Sequence, residues 1–170
     1  MKKLLFLLPI AFIALTACGQ GDKSKRPSPP AKASGTTTSG TAITIDYSQP
    51  SVKGRTIGKD LEPMPGKVWR TGANEATVFE VSKDVKVEGK SLPAGKYSLY
   101  SIANADDWTI IFNKKWNQWG TVYNQADDAL RVNVKSIKAP AFAEKFTIAV
   151  GKDGKVTMLW GNYQVDFHVE

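Results

Sequence analysis

The sequence holds one cysteine and one histidine in 170 residues. No disulfide can form within such a chain, and a zinc site built from Cys and His lacks its ligands. Helical periodicity is missing from Thr41 onward, where no 11-residue window carries a sustained apolar stripe. A concentrated cationic surface is missing too. The net charge is +7, but six of the 23 Lys and Arg lie in residues 1–40, against a single acid, Asp22. Residues 41–170 carry the remaining 17 bases and 15 acids, a balance of +2. A near-neutral body argues against nucleic-acid binding, which depends on counterion release at a basic face. The length rules out a large multidomain enzyme and fits one domain with appendages.

The longest apolar run, Leu4 to Ala17, is short. Fourteen helical residues span about 21 Å, against roughly 30 Å of bilayer hydrocarbon, and Pro9 interrupts them. With Lys2 and Lys3 in front, the run reads as a secretory signal over residues 1–17. It ends Leu15-Thr16-Ala17-Cys18, which resembles the lipobox of bacterial lipoproteins. In that motif the cysteine is acylated and becomes the first mature residue. Stable membrane attachment needs more than one acyl chain, and lipoprotein maturation supplies two or three. Cys18 is thus the expected lipidation site, and the membrane is a partner through this anchor. The following residues, Gly19-Gln20-Gly21-Asp22, contain no run of acids, so an outer-membrane location facing the periplasm is favoured over surface export.

Residues 19–40 contain four Gly, four Ser, three Pro and three Thr. This composition predicts a disordered, flexible tether over residues 18–40. Its bases, Lys23, Lys25, Arg26 and Lys32, are expected to keep it soluble, the alternative being contact with anionic lipid headgroups.

From residue 41 to residue 170, alternation with period 2 predicts an all-β domain. Ile43, Ile45 and Tyr47 alternate, as do Thr77, Phe79 and Val81, then Val85 and Val87, then Leu130, Val132 and Val134. Lys96–Ile102 and Trp108–Asn113 are apolar on both faces, as central strands are. Turn signals fall at Glu88-Gly89, Pro93-Ala94-Gly95, Asn104–Asp107, Asp153-Gly154 and Gly161-Asn162. Together these predict a single β-sandwich, jelly-roll or immunoglobulin-like in size, with about 8–9 mostly antiparallel strands. At the C-terminus a three-stranded meander is expected. A Lys152-Asp153-Gly154 loop would pair Val150 with Val156, Ile148 with Met158 and Phe146 with Trp160. A Gly161-Asn162 hairpin would then pair Trp160 with Tyr163, Met158 with Val165 and Val156 with Phe167. His168 would face solvent.

Residues 48–75 and 113–129 show no period and are not low-complexity. Long irregular segments in a compact domain are often functional loops. They carry rings among amides, acids and arginines, a composition suited to a glycan or peptide. The candidate ligand-binding residues are Arg55, Trp69, Arg70, Asn74, Glu75, Asn113, Trp119 and Tyr123. A structural account stands beside this one: Trp69, Trp116 and Trp119 close the open ends of the sandwich, and Arg55 or Arg70 pairs with Glu75.

The sequence resembles the bacterial family called domain of unknown function 2911, common in Bacteroidetes. The resemblance runs from about Ile43 to the C-terminus. It rests on Asp46-Tyr47-Ser48 with Pro50 and Gly54-Arg55, and most specifically on Val68-Trp69-Arg70-Thr71-Gly72-Ala73-Asn74-Glu75. Pro93-Ala94-Gly95-Lys96-Tyr97-Ser98-Leu99, Asn113, Trp119-Gly120, Tyr123 and Leu130-Arg131-Val132 complete it. The chain departs from the family pattern at Gln49, in place of a basic residue, and across Gly58–Pro65, where an aromatic is missing. The resemblance implies an envelope-associated β domain and no established activity.

The expected function is that of a lipid-anchored, non-catalytic module that binds a glycan, a peptide or an envelope protein. The alternative is a small glycosidic hydrolase. It would need two carboxyl groups about 5–9.5 Å apart, drawn from Glu75, Asp127 and Asp128. No cofactor and no metal are expected.

Overall fold

The computed structural model describes residues 22–170. The signal segment 1–17, Cys18 and the first tether residues lie outside the described residues.

Ten strands follow one another: β1 (Pro30–Thr36), β2 (Ala42–Ser48), β3 (Val68–Trp69), β4 (Thr77–Val81), β5 (Val85–Val87), β6 (Lys90–Leu92), β7 (Gly95–Asn104), β8 (Asp107–Asn113), β9 (Asp128–Val150) and β10 (Lys155–His168). Only two 3-10 turns, Lys23–Lys25 and Gln125–Asp127, interrupt them among the described residues. Strands and bridges take up 58% of the described residues and helical turns 4%, so the fold is all-β as the alternation predicts. Eight strands form one antiparallel sheet in the order β1-β2-β4-β7-β8-β9-β10, with β3 added alongside β7, and β5 and β6 form a separate hairpin. The sheet curls into a half-barrel.

The curl folds one limb of the sheet over the other, and the core lies between them. From β2, β4 and β8 come Ile43, Ile45, Tyr47, Phe79, Ile110 and Phe112; from β9 and β10 come Phe146, Met158, Trp160 and Phe167, all buried. Their rings meet edge to face across the gap, at 5.7 Å for Tyr47–Phe146 and 5.9 Å for Phe112–Phe167. Such pairs add about 0.5–1.5 kcal/mol each beyond the area they bury. The closing seam is backbone: the Val52 amide donates to Glu144 O at 2.8 Å, and the Phe146 amide donates to Pro50 O at 2.9 Å. The irregular segment after β2 thus acts as the latch between the limbs.

Two expectations are corrected. The domain does not begin at Thr41, because Pro30–Thr36, inside the expected tether, is the edge strand β1, paired with β2 from Pro30↔Ser48 to Thr36↔Ala42. Its inward positions are Ala31, Ala33 and Gly35, which carry almost no hydrophobic signal. They are small because the other limb passes close: a Cβ on Gly35 would sit 2.9 Å from Val150 Cγ1. Nor are the segment's bases idle. Lys32 Nζ lies 3.3 Å from Asp46, and Lys23 and Arg26 are paired as described below.

The C-terminal meander is half as expected. Val150↔Val156 and Ile148↔Met158 pair, with Gly154 left-handed at φ +82. Gly161-Asn162 is not a hairpin. β10 runs straight through it, and Tyr163 and Val165 pair with Lys138 and Ser136 of β9. The register shifts at Gly161, whose φ is +57. The buried set changes parity there, from Met158 and Trp160 to Val165 and Phe167. A turn and a bulge both produce that parity change, and here the bulge wins. His168 is exposed, as expected, with its ring 3.6 Å from Glu88.

Candidate functional site

The two irregular segments meet. Glu75 and Trp119 form an isolated antiparallel bridge, the Ala76 amide donates to Gln118 O at 3.1 Å, and the Gly120 amide donates to Asn74 O at 3.1 Å. The first segment turns sharply before this junction. Thr71 and Asn74 have φ +49 and +59. A β-branched residue in the left-handed region costs about 1–3 kcal/mol. Buried hydrogen bonds offset it: Thr71 Oγ1 donates to Ser101 at 2.9 Å, and Thr71 O accepts from Thr77 Oγ1 at 2.7 Å. Gly72 has φ +152, and a Cβ there would lie 2.8 Å from Thr77 Oγ1 and 3.0 Å from Ser48 O. Gly72 and Asn74 are residue types that tolerate positive φ, and Thr71 joins them in the bend.

Beside the junction opens a cavity of about 320 Å³ lined by Glu62, Trp69, Arg70, Tyr100, Thr121 and Tyr123, among others. Arg70 crosses over Gly120, where a Cβ would approach its Cδ and come within 2.8 Å of Asn74 O. One guanidinium nitrogen donates to Asn74 O at 3.2 Å. Among the described residues its other N–H groups have no partner, and it is not ion-paired with Glu62. The aromatic wall is rigid. Tyr100 and Tyr123 pack edge to face at 4.9 Å. The Tyr100 hydroxyl donates to Val122 O at 2.8 Å and accepts from Gln118 at 3.0 Å.

Tyr123 is held by a charged network. Its hydroxyl donates to Asp128 Oδ2 at 2.8 Å and accepts from Arg131 at 2.5 Å. Asp128 also takes Arg131 Nε at 2.7 Å and Asn113 Nδ2 at 2.8 Å. Burial, and then the Asp128 carboxylate, push the Tyr123 phenol up to about 12, so it stays a neutral donor.

The expected residues thus divide. Trp69, Arg70 and Tyr123 line the cavity. Trp69 is also core, only 3% exposed, its indole N–H donated to Gly72 O at 3.0 Å. Asn74, Glu75 and Trp119 sit at the junction without lining the cavity. Asn113 is fully buried beneath the network, holding Asn124 O, Asp128 and the Lys115 amide. Arg55 stands apart. It binds the carbonyls of Val52 and Ser51 in its own loop and borders another depression with Phe142 and Tyr163. Asp127 lies in the 3-10 turn, and its carbonyl accepts from Lys114.

Glu75 is paired with neither Arg55 nor Arg70. Both its carboxylate oxygens lie 2.9 Å from Arg26 NH1, and one is 3.1 Å from Lys23 Nζ. Burial opposes the charge, but Arg26, the residue's own amide and Lys23 outweigh it and bring the carboxyl down to about 2. Asn74 Nδ2 adds a bond to Ser28 O at 2.9 Å. The segment preceding β1 is therefore clasped onto the junction. Trp116 and Trp119 do not plug the sandwich, being 40% and 50% exposed.

Sequence reasoning missed Tyr100, Glu62 and Thr121. Tyr100 lay hidden in a run apolar on both faces, and its hydroxyl was the only signal. Glu62 carried none. Among the described residues no group of His, Cys, Asp and Glu is arranged to hold a metal ion, and no helix is long and apolar enough to cross a membrane.

No curated protein and no solved structure matches the chain. The profile of the family described as "Protein of unknown function (DUF2911)" matches residues 28–169, starting two residues before β1, and the chain belongs to that family.

Proposed function

We propose that this is a lipid-anchored envelope protein whose domain is a non-catalytic binding module for a glycan or peptide bearing carboxylate or hydroxyl groups. The observation that carries the reading is Arg70. It is a planar five-donor fork in a walled cavity, with one bond to Asn74 O and the rest of its N–H groups unspent on the described residues. A guanidinium so placed suits bidentate recognition of a carboxylate or of paired hydroxyls. Tyr100 and Tyr123 supply flat apolar area whose polar ends are already engaged. The lipobox-like Leu15-Thr16-Ala17-Cys18 supports the anchor, and the absence of acids at 19–21 supports the periplasmic face of the outer membrane.

Glu75, one of the three carboxylates named for the hydrolytic alternative, is held charged at a pKa of about 2, the wrong state for a general acid. Asp128 has both oxygens engaged by three donors.

A glycan and peptide array probed with the full chain tests the module, with Arg70→Ala as control. Ligands that bind the wild type are expected to lose at least tenfold in affinity in the variant, about 1.4 kcal/mol. Ligands held equally by both proteins would place the site elsewhere. Mass spectrometry of the mature N-terminus tests the anchor, and an unmodified Cys18 would end that half of the proposal.

A further inference from the structure

Six large hydrophobic side chains are exposed among the described residues, and three of them, Trp116, Trp119 and Val122, lie within seven positions of one loop. The Val122 amide donates to Trp119 O at 2.9 Å, so Trp119 and Val122 stand at the two ends of one tight turn. None of the three lines the Arg70 cavity. Exposed Lys114 and Lys115 precede Trp116, and Lys96 Nζ sits 5.1 Å from the centre of its ring. Trp119 is bridged to Glu75, which in turn binds Lys23 and Arg26 of the clasped N-terminal segment. Rings are thus grouped with cations, at the place where the chain leaves the domain toward its N-terminus.

We infer that the Lys114–Val122 loop, with its exposed Lys114 and Lys115, docks on the surface of an anionic phospholipid bilayer, resting Trp116, Trp119 and Val122 in the headgroup layer. This rests on the reading of Cys18 as the acylated anchor. Indoles favour that layer because the ring is apolar and its N–H stays wet, and exposed lysines are drawn to anionic lipid. Chain length selects the bilayer as the occupant. From Cys18 to Asp22 is four residues, at most about 14 Å of extended chain. A domain clasped at Lys23–Glu75 therefore cannot stand off from the membrane that holds Cys18. A tether this short gives an effective concentration in the millimolar range, so even a weak loop–lipid contact is populated.

Trp69, Trp108 and Trp160 are 2–3% exposed, so Trp116 and Trp119 are the two of five indoles open to a contact quencher. The full chain, reconstituted in vesicles of phosphatidylethanolamine and phosphatidylglycerol, is compared with and without brominated acyl chains. The wild type is expected to lose about two-fifths of its indole emission, the share of the two exposed rings. Trp116→Phe/Trp119→Phe is expected to lose almost none, while remaining in the vesicle fraction. Bromolipid quenching that is absent, or that persists in the double variant, overturns the proposal. So does shielding of the two indoles from acrylamide without bromolipid quenching, which would show a protein or a second copy on this face. Failure of the anchor is read separately, from the mass of the mature N-terminus. A chain acylated at Cys18 but unquenched refutes the docking alone.

Discussion

The two irregular segments share a composition and differ in fate. In residues 48–75 the tryptophan goes inward: Trp69 is 3% exposed, 5.0 Å from Phe146 and stacked at 6.5 Å on Trp160. In residues 113–129 the tryptophans go outward, at 40% and 50% exposure. The difference lies in the backbone. Trp69 belongs to β3, which is paired with β7, so its ring is aimed at the core by the sheet. Trp116 and Trp119 sit on a loop fastened mainly by the Glu75 bridge and by side chains such as Gln118 and Ser98. An aromatic ring in a loop is therefore core or surface according to what its main chain pairs with, not according to its neighbours in sequence.

Four substitutions break or sharpen that contrast. Trp69→Ala has the largest expected effect, about 3–5 kcal/mol of stability, read from the urea midpoint. A cost below about 1 kcal/mol would show that the first segment is no more core than the second. Asp128→Ala comes next, at roughly 2–3 kcal/mol. It strands Asn113 and the Tyr123 hydroxyl, while Arg131, one-third exposed, partly recovers water. The Tyr123 phenol should also titrate below its value of about 12, which ultraviolet absorbance would follow.

Glu75→Gln is third. The folded carboxyl is depressed to about 2 from an ordinary 4.5, so the ionised form stabilises the fold. That contribution is fully present above pH 4.5 and is lost as pH falls through about 2. The side chain is 40% exposed, so solvent screening reduces it to about 1 kcal/mol. The wild type should lose this increment between pH 5 and pH 2, and Glu75→Gln should show no such loss. Parallel pH dependences would mean that the clasp is unpopulated in solution. Trp119→Ala should have the smallest effect, within about 0.5 kcal/mol, the level of an ordinary surface change. A larger loss would place the ring in the core after all.

Much of the strand pattern was legible because period 2 is a local property. Ile43, Ile45 and Tyr47, or Phe79 and Val81, need only one buried face to declare themselves. Val85 and Val87 with the Glu88-Gly89 turn were legible for the same reason, and both turn residues adopt positive φ. The candidate site was legible only in part. Arg70 and Tyr123 stood out as polar groups among rings. The partner of Glu75 did not, because Arg26 is 49 residues away and lies in a stretch whose composition suggests no structure.

By itself the sequence determined an antiparallel all-β chain, the strand segments of β2, β4, β5, β7, β8 and the start of β9, and the two segments that lack a sustained period. Alternation and turn chemistry act over a few residues, so one chain segment carries all the information they need. Tertiary structure decided the rest. Pro30–Thr36 became a strand because β2 offered it an edge, and Gly35 fits there because Val150 leaves room for nothing larger. Gly161 became a bulge because β9 is long enough to pair on both sides of it. Glu75 became the clasp of the N-terminal segment because folding set two cations against it. Each of those outcomes depends on how near two distant segments come, and distance across the fold is not written in local pattern.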